Sequence, residues 1–228
     1  MYSTVPTTNK KENNMSLLTK ITTATALALS LATGAYATEA KPAVASIATP
    51  PPSLLSFTSE KDATGDVKKI YDEIKAQWGF VPVVIQQYSL NPALLKAQWA
   101  LYSTLGSNKN FDPKMQAMTR MLISEKNDCD YCIGLNKGML LNMFKLPADE
   151  ISALSKDPSS AKLDEKQKAM LLFMLKAANT PHDTNAQDIE SLKKLGWSDT
   201  DIFEGVKSAS NMVAGAILID ALKIQKDY

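Results

Sequence analysis

Cysteine and histidine are nearly missing from this 228-residue chain, which holds two of the first and one of the second. Two thiols and a lone imidazole cannot close a four-ligand zinc site, so a structural metal would have to borrow carboxylates; no metal and no cofactor is expected. An excess of charge of one sign is missing too, since 25 basic residues face 24 acidic ones. That balance excludes the strongly cationic surface that nucleic acid or an anionic membrane would call for. Alternating strand patterns are almost absent beyond residue 57, which argues against a sheet, and no transmembrane segment follows the N-terminal region.

What is present begins with a targeting signal. Residues 1–14 are polar, and Met15 offers a second start, followed by Lys20 as a positive n-region and an Ala/Leu/Thr-rich apolar run. Ala35-Tyr36-Ala37 is a small-residue cleavage site, so residues 1–37 read as a signal peptide and the mature chain begins near Thr38. The apolar run falls short of the roughly 20 residues a membrane anchor needs. The protein is therefore expected to be exported, periplasmic or secreted, with no membrane attachment after cleavage. Removing Lys10, Lys11 and Lys20 from the 25 basic residues and Glu12 from the 24 acidic ones leaves 22 and 23, still close to neutral.

Residues 38–57 are rich in Pro, Ala, Ser and Thr, including Pro50-Pro51-Pro52, and read as a flexible linker. Residues 58–228 have the length of one domain. Their pattern is helical: Val67, Ile70, Tyr71 and Ile74 share a face before Gly79-Phe80-Val81-Pro82 breaks the run. Asn91-Pro92 and Asp112-Pro113 each pair a capping side chain with a proline at the first helical position. Phe111–Met118 is echoed by Leu163–Met170, which suggests two related helices or two independently capped ones. A segment from Asn185 to Leu195 and a long apolar one from Asp201 to Ile224 complete an all-α domain of six to eight helices. The methionines recur at helical spacing and read as core filling. His182 reads as a solvated turn residue.

The two cysteines stand together in Asn127-Asp128-Cys129-Asp130-Tyr131-Cys132. At this spacing on a helix both sulfurs sit about one turn apart, and a helix N-terminus favours a thiolate. Asn127 or Asp128 is the expected N-cap, with Cys132, Leu135, Asn136, Met139, Leu140 and Met143 as the buried stripe behind it. A bridge between residues three apart closes a very short loop and removes little unfolded-state entropy, which favours redox work over a structural staple. Asp128 and Asp130 oppose a thiolate at Cys129, and Lys126 and Lys137 favour one.

The run Ser124–Gly134, with Asp112-Pro113, Gly79-Phe80-Val81-Pro82 and Asn91-Pro92-Ala93-Leu94-Leu95 ahead of it and Leu195-Gly196-Trp197-Ser198-Asp199 behind, resembles the carboxymuconolactone decarboxylase and alkyl hydroperoxidase D family. The resemblance runs from about Asp66 to the C-terminus. It implies an all-α fold, a homo-oligomer (trimer or hexamer), and, in the peroxidase branch, reduction of a small hydroperoxide by the cysteine pair. A thiol reductant or thioredoxin-like protein would supply the electrons. Cys132 would take the oxidant and Cys129 would resolve it.

Two positions depart from the family. A histidine four residues after the second cysteine is replaced by Asn136, and a glutamate twelve before the first by Ala117, so the proton relay is missing and turnover is expected to be slow. Asn136, Glu125 and Tyr131 are the candidate assistants. Two other readings stay open: a non-catalytic helical oligomer with a structural Cys129–Cys132 bridge, and a lactone decarboxylase-like enzyme.

Overall fold

The computed structural model describes residues 52–228. The expected signal peptide and residues 38–51 of the expected linker lie outside the described residues. Among those residues there are nine α-helices and no strand: α1 Gly65–Trp78, α2 Val83–Gln87, α3 Pro92–Ser107, α4 Pro113–Lys126, α5 Asp130–Asn142, α6 Ala148–Lys156, α7 Glu165–Asn179, α8 Ala186–Lys194 and α9 Asp199–Leu222. The all-α architecture agrees with the sequence. The count exceeds the expected range by one, because Pro82 does more than end a helix. Gly79 stops α1 with a φ of 84°, and Pro82 is the N-cap of the short α2.

Side-chain caps set the helix starts. Asn91 Oδ1 accepts from the N–H groups of Ala93 and Leu94, and Asp112 Oδ1 from those of Lys114 and Met115. Each such cap stabilises its helix by about 1 kcal/mol. Asp164 does the same for α7 through Gln167 N–H, at 2.7 Å. The echoed helices α4 and α7 pack on each other. Gln167 joins their starts, accepting from Asp112 N–H at 3.1 Å and donating to Asn110 O at 2.7 Å.

Helix α4 is the centre of the domain and packs on α5, α7 and α9. Its inward stripe of Met115, Met118, Met121 and Leu122 meets Leu140, Met170, Leu171 and Met174, so these methionines fill the core, whereas Met143, expected in the buried stripe of α5, is the C-cap of that helix and is 66% exposed. Phe111 stacks on Trp197 with ring centroids 5.2 Å apart. A second cluster, built on Tyr71, Ile74, Ile85, Leu95 and Trp99, joins α1, α2 and α3. A third gathers Val83, Cys129, Tyr131, Cys132, Ala216, Ile219 and Ile224, which places the dithiol where α2, α5, α9 and the C-terminal segment converge.

Helix α9 is long and apolar enough, by length and composition, to cross a membrane. One of its faces is nevertheless built into the domain through Ile202, Gly205, Ala209, Ala216 and Ile219. Its outer face leaves Phe203 and Ile217 70% and 64% exposed. Residues 53–57, assigned to the linker by composition, form no helix but are tied to the domain. Leu54 N–H donates to Leu222 O at 2.9 Å, and Gln225 N–H donates to Ser53 Oγ at 3.0 Å.

Candidate functional site

The turn between α4 and α5 decides where the sulfurs go. Asn127 closes α4: its side chain donates to Ile123 O at 2.8 Å and satisfies a carbonyl left open by the helix end. Asp128 then takes a φ of 52°, a left-handed conformation that Asp tolerates better than most residues. Cys129 N–H returns to Ser124 O at 3.1 Å, and Cys129 itself is the N-cap of α5. The expected capping by Asn127 or Asp128 is thus corrected. Asn127 serves the preceding helix, and Asp128 is spent on reversing the chain.

Cys129 and Cys132 are free thiols, and both are buried. The two thiols are perturbed in opposite directions. The Cys132 side chain holds the Cys129 thiol below its ordinary value; burial opposes this, the Cys132 backbone N–H adds to it, and Asp220 and Asp130 resist it. Cys132 is pushed well up, first by the Cys129 side chain and then by burial and by the neighbouring Cys129 charge. The Ser124 hydroxyl beside Cys132 works the other way. The helix N-terminus also favours negative charge at Cys129. Of the two, Cys129 is the thiol shifted toward a thiolate and Cys132 the one shifted away from it.

The other expected assistants are placed differently. Asn136 is buried one turn beyond Cys132, as the spacing requires. Its amide nitrogen nevertheless donates to Cys132 O at 2.8 Å, and its oxygen accepts from Arg120 Nε at 2.9 Å, so it bridges backbone and guanidinium instead of capping a sulfur. Glu125 accepts from Ser155 Oγ at 2.7 Å and is engaged with α6, away from the dithiol. Tyr131 is buried and donates to the Asp227 carboxylate, while Val84 N–H approaches its oxygen at 3.4 Å. Burial and Asp227 push its phenol far up. Tyr131 thus ties α2 and the C-terminal segment to α5. Lys126 and Lys137 are exposed, Ala117 is fully buried, and His182 lies in an exposed turn.

The C-terminal segment crosses the start of α5. Tyr228 Oη donates toward the carbonyls of Asp130 and Tyr131, at 2.9 and 3.1 Å, and Asp227 accepts from Val83 N–H at 2.8 Å. Gly134 makes room for the tyrosine: a Cβ at that position would lie 1.9 Å from Tyr228 Oη. Beside this strap is a cleft of about 400 Å³ lined by Asp130, Tyr131, Ile219, Asp220, Ile224 and Lys226 among others. Sequence reasoning missed Asp220, Ser124, the strap and Arg120. For the last there was a signal, since Arg120 is the one arginine among 25 basic residues.

Neither a family model nor a curated protein matches the sequence. Solved structures do. A peroxidase-related protein from Silicibacter sp. TM1040 is 22% identical, with 79% of this chain and 95% of that chain covered and a TM-score of 0.65. The alkylhydroperoxidase AhpD core of a peroxidase-related protein from Ralstonia eutropha JMP134 is 21% identical, with 78% and 93% covered and a TM-score of 0.66. The debrominase Bmp8, solved in complex with 2,3,4-tribromopyrrole, is 16% identical, with 78% and 94% covered and a TM-score of 0.58. At such identities the likeness carries the architecture: the chain has the all-α fold of the alkylhydroperoxidase AhpD core.

Proposed function

We propose that this protein is an exported thiol-dependent oxidoreductase that reduces small organic hydroperoxides through Cys129 and Cys132. The observation that carries this reading is the dithiol itself, a free pair at a helix N-terminus polarised toward a Cys129 thiolate. The peroxidase-related names of two similar structures support it. Cys129 sulfur attacks the outer peroxide oxygen, the O–O bond breaks, and the alkoxide leaves as an alcohol after taking one proton. The Cys129 sulfenic acid is then attacked by Cys132; the S–S bond forms, the S–O bond breaks, and the hydroxide leaves as water with the Cys132 proton. Two electrons have passed to the peroxide, and a small thiol reductant or thioredoxin-like protein returns them through the cleft.

The reaction is slow for a peroxidase of this fold, because Asn136 and Ala117 transfer no proton, and a positioned general base is typically worth about 10² to 10⁴-fold. The exposed Phe203 and Ile217 of α9 support a homo-oligomer in which that face is covered. Stopped-flow rates with one alkyl hydroperoxide and excess dithiol test the activity. With the reductant removed, peroxide-dependent loss of two thiols per chain is expected. Thiols that survive excess peroxide unchanged would overturn the reading.

A further inference from the structure

Twenty-four of the 25 basic residues are lysines, and the single arginine is partly buried on α4, the helix that leads into the dithiol turn. Arg120 stands one turn before Ser124, whose carbonyl receives Cys129 N–H and whose hydroxyl lies beside the Cys132 thiol. Its Nε donates to Asn136 Oδ1 at 2.9 Å, and the same amide donates to Cys132 O at 2.8 Å, so one side chain links the guanidinium to the Cys132 backbone. Its other contact, with Gln116 Oε1, is long at 3.5 Å.

Both partners are neutral amides. Among the described residues no carboxylate lies within ion-pair distance of Arg120. Removing a cation from water without a counter-ion is costly. Burial lowers its pKa to about 10, so the guanidinium stays charged at ordinary pH. The Tyr102 phenol is near both Arg120 and Cys132, but burial pushes it up to about 12, so it stays neutral at ordinary pH. The one neighbour whose chemistry requires a negative charge is the dithiol.

We propose that Arg120 is the counter-charge for the Cys132 thiolate in the resolving step, replacing electrostatically the proton relay whose positions are occupied by Ala117 and Asn136. Arg120 takes no proton. It lowers the cost of the Cys132 anion; the sulfur closes on the Cys129 sulfenic acid, the S–O bond breaks, and the proton released from Cys132 into the cleft is taken up by the leaving hydroxide as water. The remaining charges face the pair from other elements. Asp130 at the start of α5 and Asp220 on α9 oppose a thiolate, with Asp128 beside Asp220 and Asp227 beside Tyr131 and Tyr228, and Lys223 and Lys226 lie on the cleft side. Arg120 is the cation on the α4 side, and it acts as a positioning residue.

The inference rests on the redox reading of Cys129 and Cys132, so its test is independent of turnover. In a Cys129→Ser background the Cys132 thiol titrates alone and is followed by the chemical shift of 13Cβ-labelled cysteine. Arg120→Met is expected to raise the midpoint so that the thiolate fraction at fixed pH falls about tenfold or more, whereas Arg120→Lys keeps part of the effect while it remains charged. Arg120→Gln, which retains a polar partner for Asn136, repeats the neutralisation should the methionine variant fail to fold by circular dichroism. An unmoved midpoint in a folded neutral variant overturns the proposal. If the midpoint moves while the wild-type protein reduces no peroxide, the counter-charge stands and the peroxide reading falls; if peroxide is reduced and the midpoint is unmoved, the reverse holds.

Discussion

Cys129 caps the helix that carries Cys132, so the two sulfurs that shift each other's pKa in opposite directions are held one turn of backbone apart. The polarity of the pair therefore comes from local geometry, before any distant residue acts.

That polarity predicts different products from two serine variants. Cys132→Ser leaves Cys129 able to attack peroxide but unable to form the intrachain disulfide, so a sulfenic acid accumulates and is trapped by dimedone. Cys129→Ser gives no such adduct at comparable peroxide exposure. Mass spectrometry of the trapped protein checks both, and an adduct confined to Cys132 would reverse the assignment.

The strap predicts gated access. Both thiols are buried, and Tyr228 on Gly134 is part of what covers the start of α5. Tyr228→Ala removes the ring and its two hydrogen bonds, each worth about 1 kcal/mol, so alkylation of the thiols by iodoacetamide should accelerate by roughly tenfold. Gly134→Val should do the same by displacing the ring, with no change in helical content.

Asp201 predicts an acid transition. Burial works to raise its pKa, but hydrogen bonds from Ser198 (2.6 Å), Asn108 (2.9 Å) and Asn110 (3.0 Å) outweigh it and hold the carboxyl well below the usual range. A group whose folded pKa is depressed stabilises the fold fully above its unfolded value, about 3.9, and loses that contribution as the pH falls through the folded value. Asp201→Asn should cost about 1–3 kcal/mol at neutral pH, and the gap to wild type should narrow below about pH 4. Urea unfolding at several pH values measures it.

The outer face of α9 predicts association. Phe203→Asp combined with Ile217→Asp places two charges on the exposed apolar face without touching the buried one. Light scattering should show the wild-type protein as an oligomer and the double variant as a monomer of unchanged helicity.

Much of the fold was legible because its starts are written locally. Asn91-Pro92 and Asp112-Pro113 each combine a side-chain acceptor with a residue that has no N–H to satisfy, and both open helices where expected. Pro82 was legible as a stop but not as a start, since a five-residue helix carries little periodic signal. The expected caps of α5, Asn127 and Asp128, stand just before a cysteine that caps without a side-chain bond, and only the return of Cys129 N–H to Ser124 O places the helix start. Asn136 was placed correctly along the helix but not in its bonding, which Arg120 on another helix determines. The strap has no pattern to read, since its residues are specified by contacts with Gly134, Val83 and Tyr131 far back along the chain.

Those long separations order events in time as well as in space. The α4–α5 hairpin closes through neighbours in sequence, whereas the bonds that shut the mouth join residues 144, 96 and 172 positions apart: Val83 with Asp227, Tyr131 with Asp227, and Gln225 with Ser53. Loop-closure entropy delays such contacts until the intervening chain is compact. During folding the paired sulfurs are thus assembled first and sealed last. In an oxidising compartment the chain passes through an interval in which its reactive thiols are formed and uncovered, when disulfide exchange with foreign thiols is fastest.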